Sequence, residues 1–341
     1  MLETIWFVLW GVLWALYFML DGFDLGLGAL MPALARNEQE KRVVYNAMGP
    51  FWDGNEVWLI TAGGVTFAAF PGTYAVMFSS LYSALMLLLF ALILRGVAFE
   101  FRGKVDSPAW KALWDGCLWL GSFLPALLLG VAFANIFMGI PIDQQGVYQG
   151  TLFTLLNPYG LLGGVFFVLL FMTHGSLWLA IKASGELEAR AQAMAKRLWP
   201  LLLAVAVIFL AATWLYTRLW ANYLVYYWMW VLPLLAVGGL IVSRVYMAQG
   251  SWWKAWGASA VMIVGCTLFG VAGLYPNLLP SSLDPAWSMT VTNSSSSPLT
   301  LKIMLGVALV MVPVVLAYQT WAYVTFRHKV TDQDLAYEEA Y

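Results

Sequence analysis

Histidine is nearly absent from this chain: its 341 residues include two, His174 and His328. A protein that ligates several haems draws on several inward histidines, so a self-contained haem enzyme is not expected. Cysteine is equally sparse. Cys117 and Cys266 stand far apart in apolar runs and form no CxxC, which argues against a disulfide framework and reads as packed thiols. Charged residues make up only 10% of the chain, with a net charge of -1 and no basic stripe, so nucleic acid is set aside as a partner. No P-loop, no GxGxxG followed by an acid and no nucleophile constellation presents itself. What fills the sequence is apolar. At 62% hydrophobic residues and a mean hydropathy of +0.77 it reads as a polytopic membrane protein.

Hydropathy predicts a single integral membrane domain over 1–341, with nine spans near 5–34, 54–70, 74–99, 112–137, 158–182, 198–217, 223–246, 257–275 and 300–326. All of the 17 lysines and arginines except Arg218 and Lys302 then fall on one side of the alternation. The positive-inside rule puts that side in the cytoplasm, with the N-terminus outside and the C-terminus cytoplasmic. The opening residues lack a basic n-region and a small-residue cleavage site, so the first span is expected to be retained. Two longer outer loops, 138–157 and 276–299, are too short for folded domains; the second is rich in Pro, Ser and Asn, as a polar cap over helix ends would be, or a docking surface. The 19 tryptophans and 16 tyrosines suit interfacial belts and helix packing, and the 15 methionines suit gap-filling in apolar helices.

Against this background the charges inside the spans carry the information. The stretch DGFDLGLG places Asp21 and Asp24 three residues apart, on one face of the first span. Intramembrane carboxylates cost on the order of 3 kcal/mol each on insertion scales and normally face protein or a water-filled path, so a proton or ion route is the default reading. Gly22, Gly26 and Gly28 would let a neighbouring helix approach beside them; a packing seam with neutralised acids is the alternative. Asp24 lies about ten residues from the cytoplasmic end, roughly 15 Å deep. The second span opens with Asp53 and Glu56 at i, i+3, and the third ends with Arg95, Glu100 and Arg102. Acids graded inward from the cytoplasmic surface suit proton uptake; for Asp53, Glu56, Glu100 and Arg95 an interfacial salt-bridge cluster is the competing reading. His174, in FMTHGSLWLA, reads as a hydrogen-bonded helix histidine, with proton relay as the alternative, and His328 as solvated. No metal site is expected.

DGFDLGLG is followed by NAMGPFWDGNEVWLITAGGVTFAAFP, RGVAFEFR, WDGCLWLGSFLPALLLGVAFANIFMGIP, LLNPYGLLGG and the segment from PSSLDPAWSMT to SSPLTLKIML. In these segments, in this order and over nearly the whole chain, the sequence resembles subunit II of the cytochrome bd quinol oxidases. The resemblance implies an all-α polytopic protein of the bacterial inner membrane, with nine transmembrane helices arranged as two four-helix bundles plus one peripheral helix. It implies pairing with a haem-bearing subunit I that carries haems b558, b595 and d, or b-type substitutes, and the quinol site, while subunit II carries no haem. The implied complex oxidises quinol, reduces dioxygen to water and takes protons from the cytoplasm. Asp24 and Asp53 resemble proton-path positions of the family, with Asp21 beside the first, and Trp58 resembles a tryptophan associated with oxygen access. Glu56 is a neutral Gln in some members, and His174 is not a general feature. Some members bind a structural quinone or lipid in this subunit, and an additional small single-helix subunit is left open. The rival from another class is a proton-coupled secondary transporter, which acids beside glycines also permit.

Overall fold

The computed structural model describes residues 1–336. Helix α1 (Leu2–Leu34) is followed by the short α2 (Glu38–Met48), then α3 (Trp52–Ala69), α4 (Pro71–Ser80), α5 (Tyr82–Phe101) and α6 (Pro108–Met138). The second half comprises α7 (Pro158–Lys182), α8 (Gly185–Tyr216), α9 (Trp220–Val225), α10 (Val231–Ala248), α11 (Trp252–Leu274), α12 (Pro298–Thr325) and α13 (Asp332–Leu335). Proline at the first helical position opens α4, α6, α7 and α12, where its missing N–H costs nothing. Two of these starts are also capped by the preceding side chain, Asn157 accepting from the Gly160 N–H and Ser297 from the Thr300 N–H.

Among the described residues eight helices are long and apolar enough to cross a membrane. The ninth expected crossing, at 54–70, is α3, whose 18 residues begin with Asp53, Asn55 and Glu56 in the first turns and are less apolar for that reason. The expected third span is broken at Leu81 into α4 and α5. Helix α8 begins well before the expected 198, because its charged first half continues the helix beyond the apolar run. Helix α2 falls between expected spans: it is amphipathic, and buries Val44, Tyr45, Ala47 and Met48.

The packing divides into two groups of four, α1, α3, α4–α5 and α6 against α7, α8, α10 and α11, with α12 at the periphery. Within α12 only Leu301 is buried. The two groups meet where α1 and α6 pack on α7, and glycine makes the approach possible. A Cβ on Gly26 would sit 1.8 Å from the Phe171 carbonyl oxygen, and one on Gly175 2.5 Å from the Leu27 nitrogen, so the α1 and α7 backbones touch. Gly28 gives the same closeness to Ser122 on α6.

Basic residues gather at one end, where Arg102 forks onto Glu38 at 2.9 Å and meets Asp115 at 2.6 Å, Lys41 reaches the same Asp115 at 2.9 Å, and Lys329 meets Glu188 at 2.6 Å. Burial alone would push the Glu40 carboxyl up, but the Arg36 N–H and the Arg190 guanidinium hold it below its ordinary value. The opposite end is closed by the two long loops. Strands β1 (Asn277–Leu279) and β2 (Met289–Thr290) pair antiparallel, Ile140 exchanges backbone hydrogen bonds with Pro280 and Ser282, and Ser296 is tied to Ala69. The loops form the polar cap expected of the second.

Substituting Gly26 by valine forces α1 and α7 apart and is expected to destabilise the fold by about 3 kcal/mol. Gly238→Ala, where a Cβ meets nothing within 4 Å, serves as control and is expected to be neutral or slightly stabilising in thermal unfolding of the purified protein.

Candidate functional site

The two aspartates of α1 lead into two different polar clusters. Asp21 and Arg95 are both buried, the guanidinium at 1% exposure, and form an ion pair at 2.8 Å between α1 and α5. The same Arg95 Nη2 reaches Glu56 of α3 at 3.0 Å, so one cation ties three helices. Gly121 of α6 lets this turn of α5 come close, since a Cβ there would lie 2.7 Å from the Arg95 nitrogen. The ion pair with Asp21 lacks hydrogen-bond alignment. Both Asp21 oxygens, Arg95 Nε and Nη1, and the hydroxyl of Tyr17 one turn earlier on α1 are buried without hydrogen-bond partners among the described residues.

Asp24 faces elsewhere. Its Oδ2 accepts from Asn55 Nδ2 at 2.7 Å, while its Oδ1 is buried and unpartnered. Asn55 Oδ1 in turn accepts from Gln319 Nε2 and from the Tyr323 hydroxyl, both at 3.0 Å. Gln319 Oε1 accepts from the Trp58 indole at 2.8 Å. Two residues of the peripheral helix α12, four apart, therefore grip two residues of α3, three apart, across the side of α1 that carries Asp24.

The model for cytochrome bd terminal oxidase subunit II matches residues 2–326. The chain belongs to that family. It is 37% identical to cytochrome bd ubiquinol oxidase subunit 2 of Bacillus subtilis, with 98% of each chain covered. It is 35% identical to cytochrome bd-I ubiquinol oxidase subunit 2 of Escherichia coli, over 98% of this chain and 96% of that one. A chain in the structure of bd oxidase from Geobacillus thermodenitrificans superposes with a TM-score of 0.76 over 95% of this chain and 98% of that chain; at 15% identity this likeness concerns the fold. With its apolar helices, family membership makes the chain a multi-pass protein of the bacterial cytoplasmic membrane.

For this subunit II chain the other expected site residues divide. Asp53 is exposed on the first turn of α3 and makes no ion pair or hydrogen bond with Asp21, Asp24 or Arg95. Glu100 is exposed near the end of α5. Glu56 turns inward to Arg95, so the i, i+3 spacing does not carry Asp53 with it. Trp58 is buried within the α12 contact. His174 is fully buried; its Nε2–H donates to the Met19 carbonyl at 3.0 Å, its Nδ1 pairs with the Ser259 hydroxyl at 2.6 Å, and its ring stacks on Trp256. This is the hydrogen-bonded helix histidine expected. His328 pairs with Asp334 at 3.2 Å near the basic end. Among the described residues no group of His, Cys, Asp and Glu is arranged to hold a metal ion. Sequence reasoning missed Tyr17, Asn55, Gln319 and Tyr323. Asn55 stands between Asp53 and Glu56, and YQTWAY is a polar interruption of an apolar helix, but neither signal names a partner.

Removing Arg95 alone strands Asp21 in an apolar interior and is expected to cost about 3–5 kcal/mol. Arg95→Met is therefore expected to unfold at markedly lower temperature, and the double variant with Asp21→Asn to regain a large part of the loss. A thermal double-mutant cycle measures the difference.

Proposed function

We propose that this chain is the haem-free subunit of a quinol-oxidising, dioxygen-reducing complex, in which it scaffolds a haem-bearing subunit I and delivers protons to it. The curated relatives bear the name ubiquinol oxidase subunit 2, and the fold is that of a bd oxidase chain. The residues of this chain do not suit a haem iron of its own: His174 has both ring nitrogens engaged, and His328 is paired in the tail. As the family resemblance implies, haems b558, b595 and d, or b-type substitutes, belong to the partner, where they would supply the redox chemistry.

One observation carries the proton role. Asp21 and Glu56 share a single buried guanidinium, Arg95, while Asp24, three residues on from Asp21 and equally buried, has only the Asn55 amide and keeps its Oδ1 unpartnered. One cation cannot neutralise three carboxylates in an apolar bundle, so protons or water must settle the balance, which is the property a proton-exchanging site needs. By the positive-inside rule the basic end faces the cytoplasm. On this reading exposed Asp53, on the first turn of α3, collects protons, Glu56 and Arg95 are reached from that side, and Asp24 and Asp21 hold protons deeper in. Glu100 at the end of α5 belongs to the collecting surface. Oxygen admission beside Trp58 is a further element of the proposal.

In the assembled complex Asp24→Asn is expected to slow oxygen reduction by about tenfold or more, with haem content retained, as loss of a proton-transfer group does. Asp53→Asn, at the exposed end, is expected to have a smaller effect in the same direction. Oxygen uptake together with the visible spectrum checks both. Full activity of Asp24→Asn at every pH overturns the proton role, and solute transport by this chain without its partner would favour a secondary transporter instead.

A further inference from the structure

The polar side chains that α12 sends inward converge on one amide, and the direction of every hydrogen bond around it is forced. An indole nitrogen donates and never accepts, so Trp58 requires Gln319 to present its Oε1, at 2.8 Å. Gln319 then has only its amide nitrogen to offer Asn55, and that nitrogen lies 3.0 Å from Asn55 Oδ1. The Tyr323 hydroxyl donates to the same oxygen at 3.0 Å. With two donors on Oδ1, the Asn55 NH2 group faces Asp24 Oδ2 at 2.7 Å. A flipped Asn55 would set NH2 against NH2 on the Gln319 side. We propose that Trp58, Gln319 and Asn55 form a directional hydrogen-bond relay that fixes Asp24 as an acceptor, so that the peripheral helix α12 positions the carboxyl group through which protons pass.

The inference rests on the proton-delivery reading of Asp24 and adds to it. Neither an amide nor an indole shuttles protons readily, so these three residues are positioning residues and not members of the route, and Tyr323 helps to hold Asn55 by donating to its Oδ1. By occupying Oδ2 with a donor, the relay leaves Oδ1, buried and otherwise unpartnered, as the oxygen at which a proton is taken up and released. It also gives Trp58 a task separate from oxygen admission: its indole sets the polarity of the chain of amides. The residues belong together by position, with Asn55 and Trp58 on one face of α3 and Gln319 and Tyr323 on one face of α12.

The test uses the intact oxidase with its partner subunit. Infrared difference spectra across pH locate the protonated-carboxyl C=O band that disappears in Asp24→Asn. In Trp58→Phe and Gln319→Leu the amides are free to turn, and this band is expected to gain intensity at neutral pH while turnover falls about five-fold, the size of one net hydrogen bond. Haem content and spectrum stay as in the unmodified complex. Tyr323→Phe is expected to have a smaller effect, because Gln319 still holds Asn55 Oδ1. An unchanged band in both Trp58→Phe and Gln319→Leu overturns the relay, as does a Trp58→Phe variant whose only change is a higher KM for oxygen. Should Trp58→Phe fail to assemble, Gln319→Leu on the outer helix decides. Normal turnover in Asp24→Asn would remove the proton role and still leave the band, and so the relay, measurable.

Discussion

The guanidinium of Arg95 is the constraint around which the first half of the molecule is arranged. A cation at 1% exposure among apolar helices must be met by anions at contact distance, or its desolvation would unfold the bundle. Asp21 and Glu56 meet it from α1 and α3, which fixes the rotation of both helices relative to α5. The rotation of α1 then decides the rest. Three residues beyond Asp21, Asp24 is directed at the α3 face that carries Asn55, and Gly22 and Gly26 are turned toward α7. One helix thus serves its neighbours in two different ways: it meets α3 and α5 through charge and hydrogen bonds, and α7 chiefly through close backbone approach at glycines.

The two kinds of contact depend on one another. Close packing of α1 on α7 leaves no room for a side chain at Gly26 and Gly175, so the carboxylates of α1 point to the other side, where their partners are. Helix α12 shows the complementary case. Nearly all of its surface is apolar and exposed, as suits hydrocarbon or another membrane subunit, and van der Waals contact with α1 and α3 is slight. Its register is fixed by a few directional bonds instead: the Trp6 indole donates to the Leu301 carbonyl, Gln319 and Tyr323 grip Asn55, and the Lys182 ammonium donates to the Phe326 and His328 carbonyls beyond its end.

Much of this was legible in the sequence because the membrane imposes simple rules. Apolar length gave the long helices, proline and polar caps gave their starts, and acids within an apolar run marked α1 as the helix that carries buried charge. The glycines beside those acids foretold the close approach to α7. Where the reading fell short, the cause was local chemistry that hydropathy averages away. Asp53, Asn55 and Glu56 make the start of α3 polar and shorten its apolar stretch, while α2 is too charged to register as a span although it buries four residues. The two carboxylates of α3 were expected together, but only Glu56 turns inward, since the partner that orients it, Arg95, is far away in sequence. Gln319 and Tyr323 could not be assigned for the same reason: a polar residue on an outer helix names no partner until the helices are docked.

The arrangement also bears on how a proton reaches the deeper acids. Asn55 lies between the exposed start of α3 and Asp24, yet its amide fills Asp24 Oδ2 and does not readily pass a proton on. On the proposed route transfer therefore takes place at Asp24 Oδ1, the oxygen that Asn55 leaves free. Asp21 follows one helical turn toward the N-terminus, beside the Tyr17 hydroxyl and in contact with Arg95. A proton arriving there meets a carboxyl already paired to a cation that Glu56 shares, so charge added at Asp21 is felt at Glu56 through the same guanidinium. That coupling gives Asp21 and Glu56 a common charge balance, and it follows from placing one arginine where three helices meet.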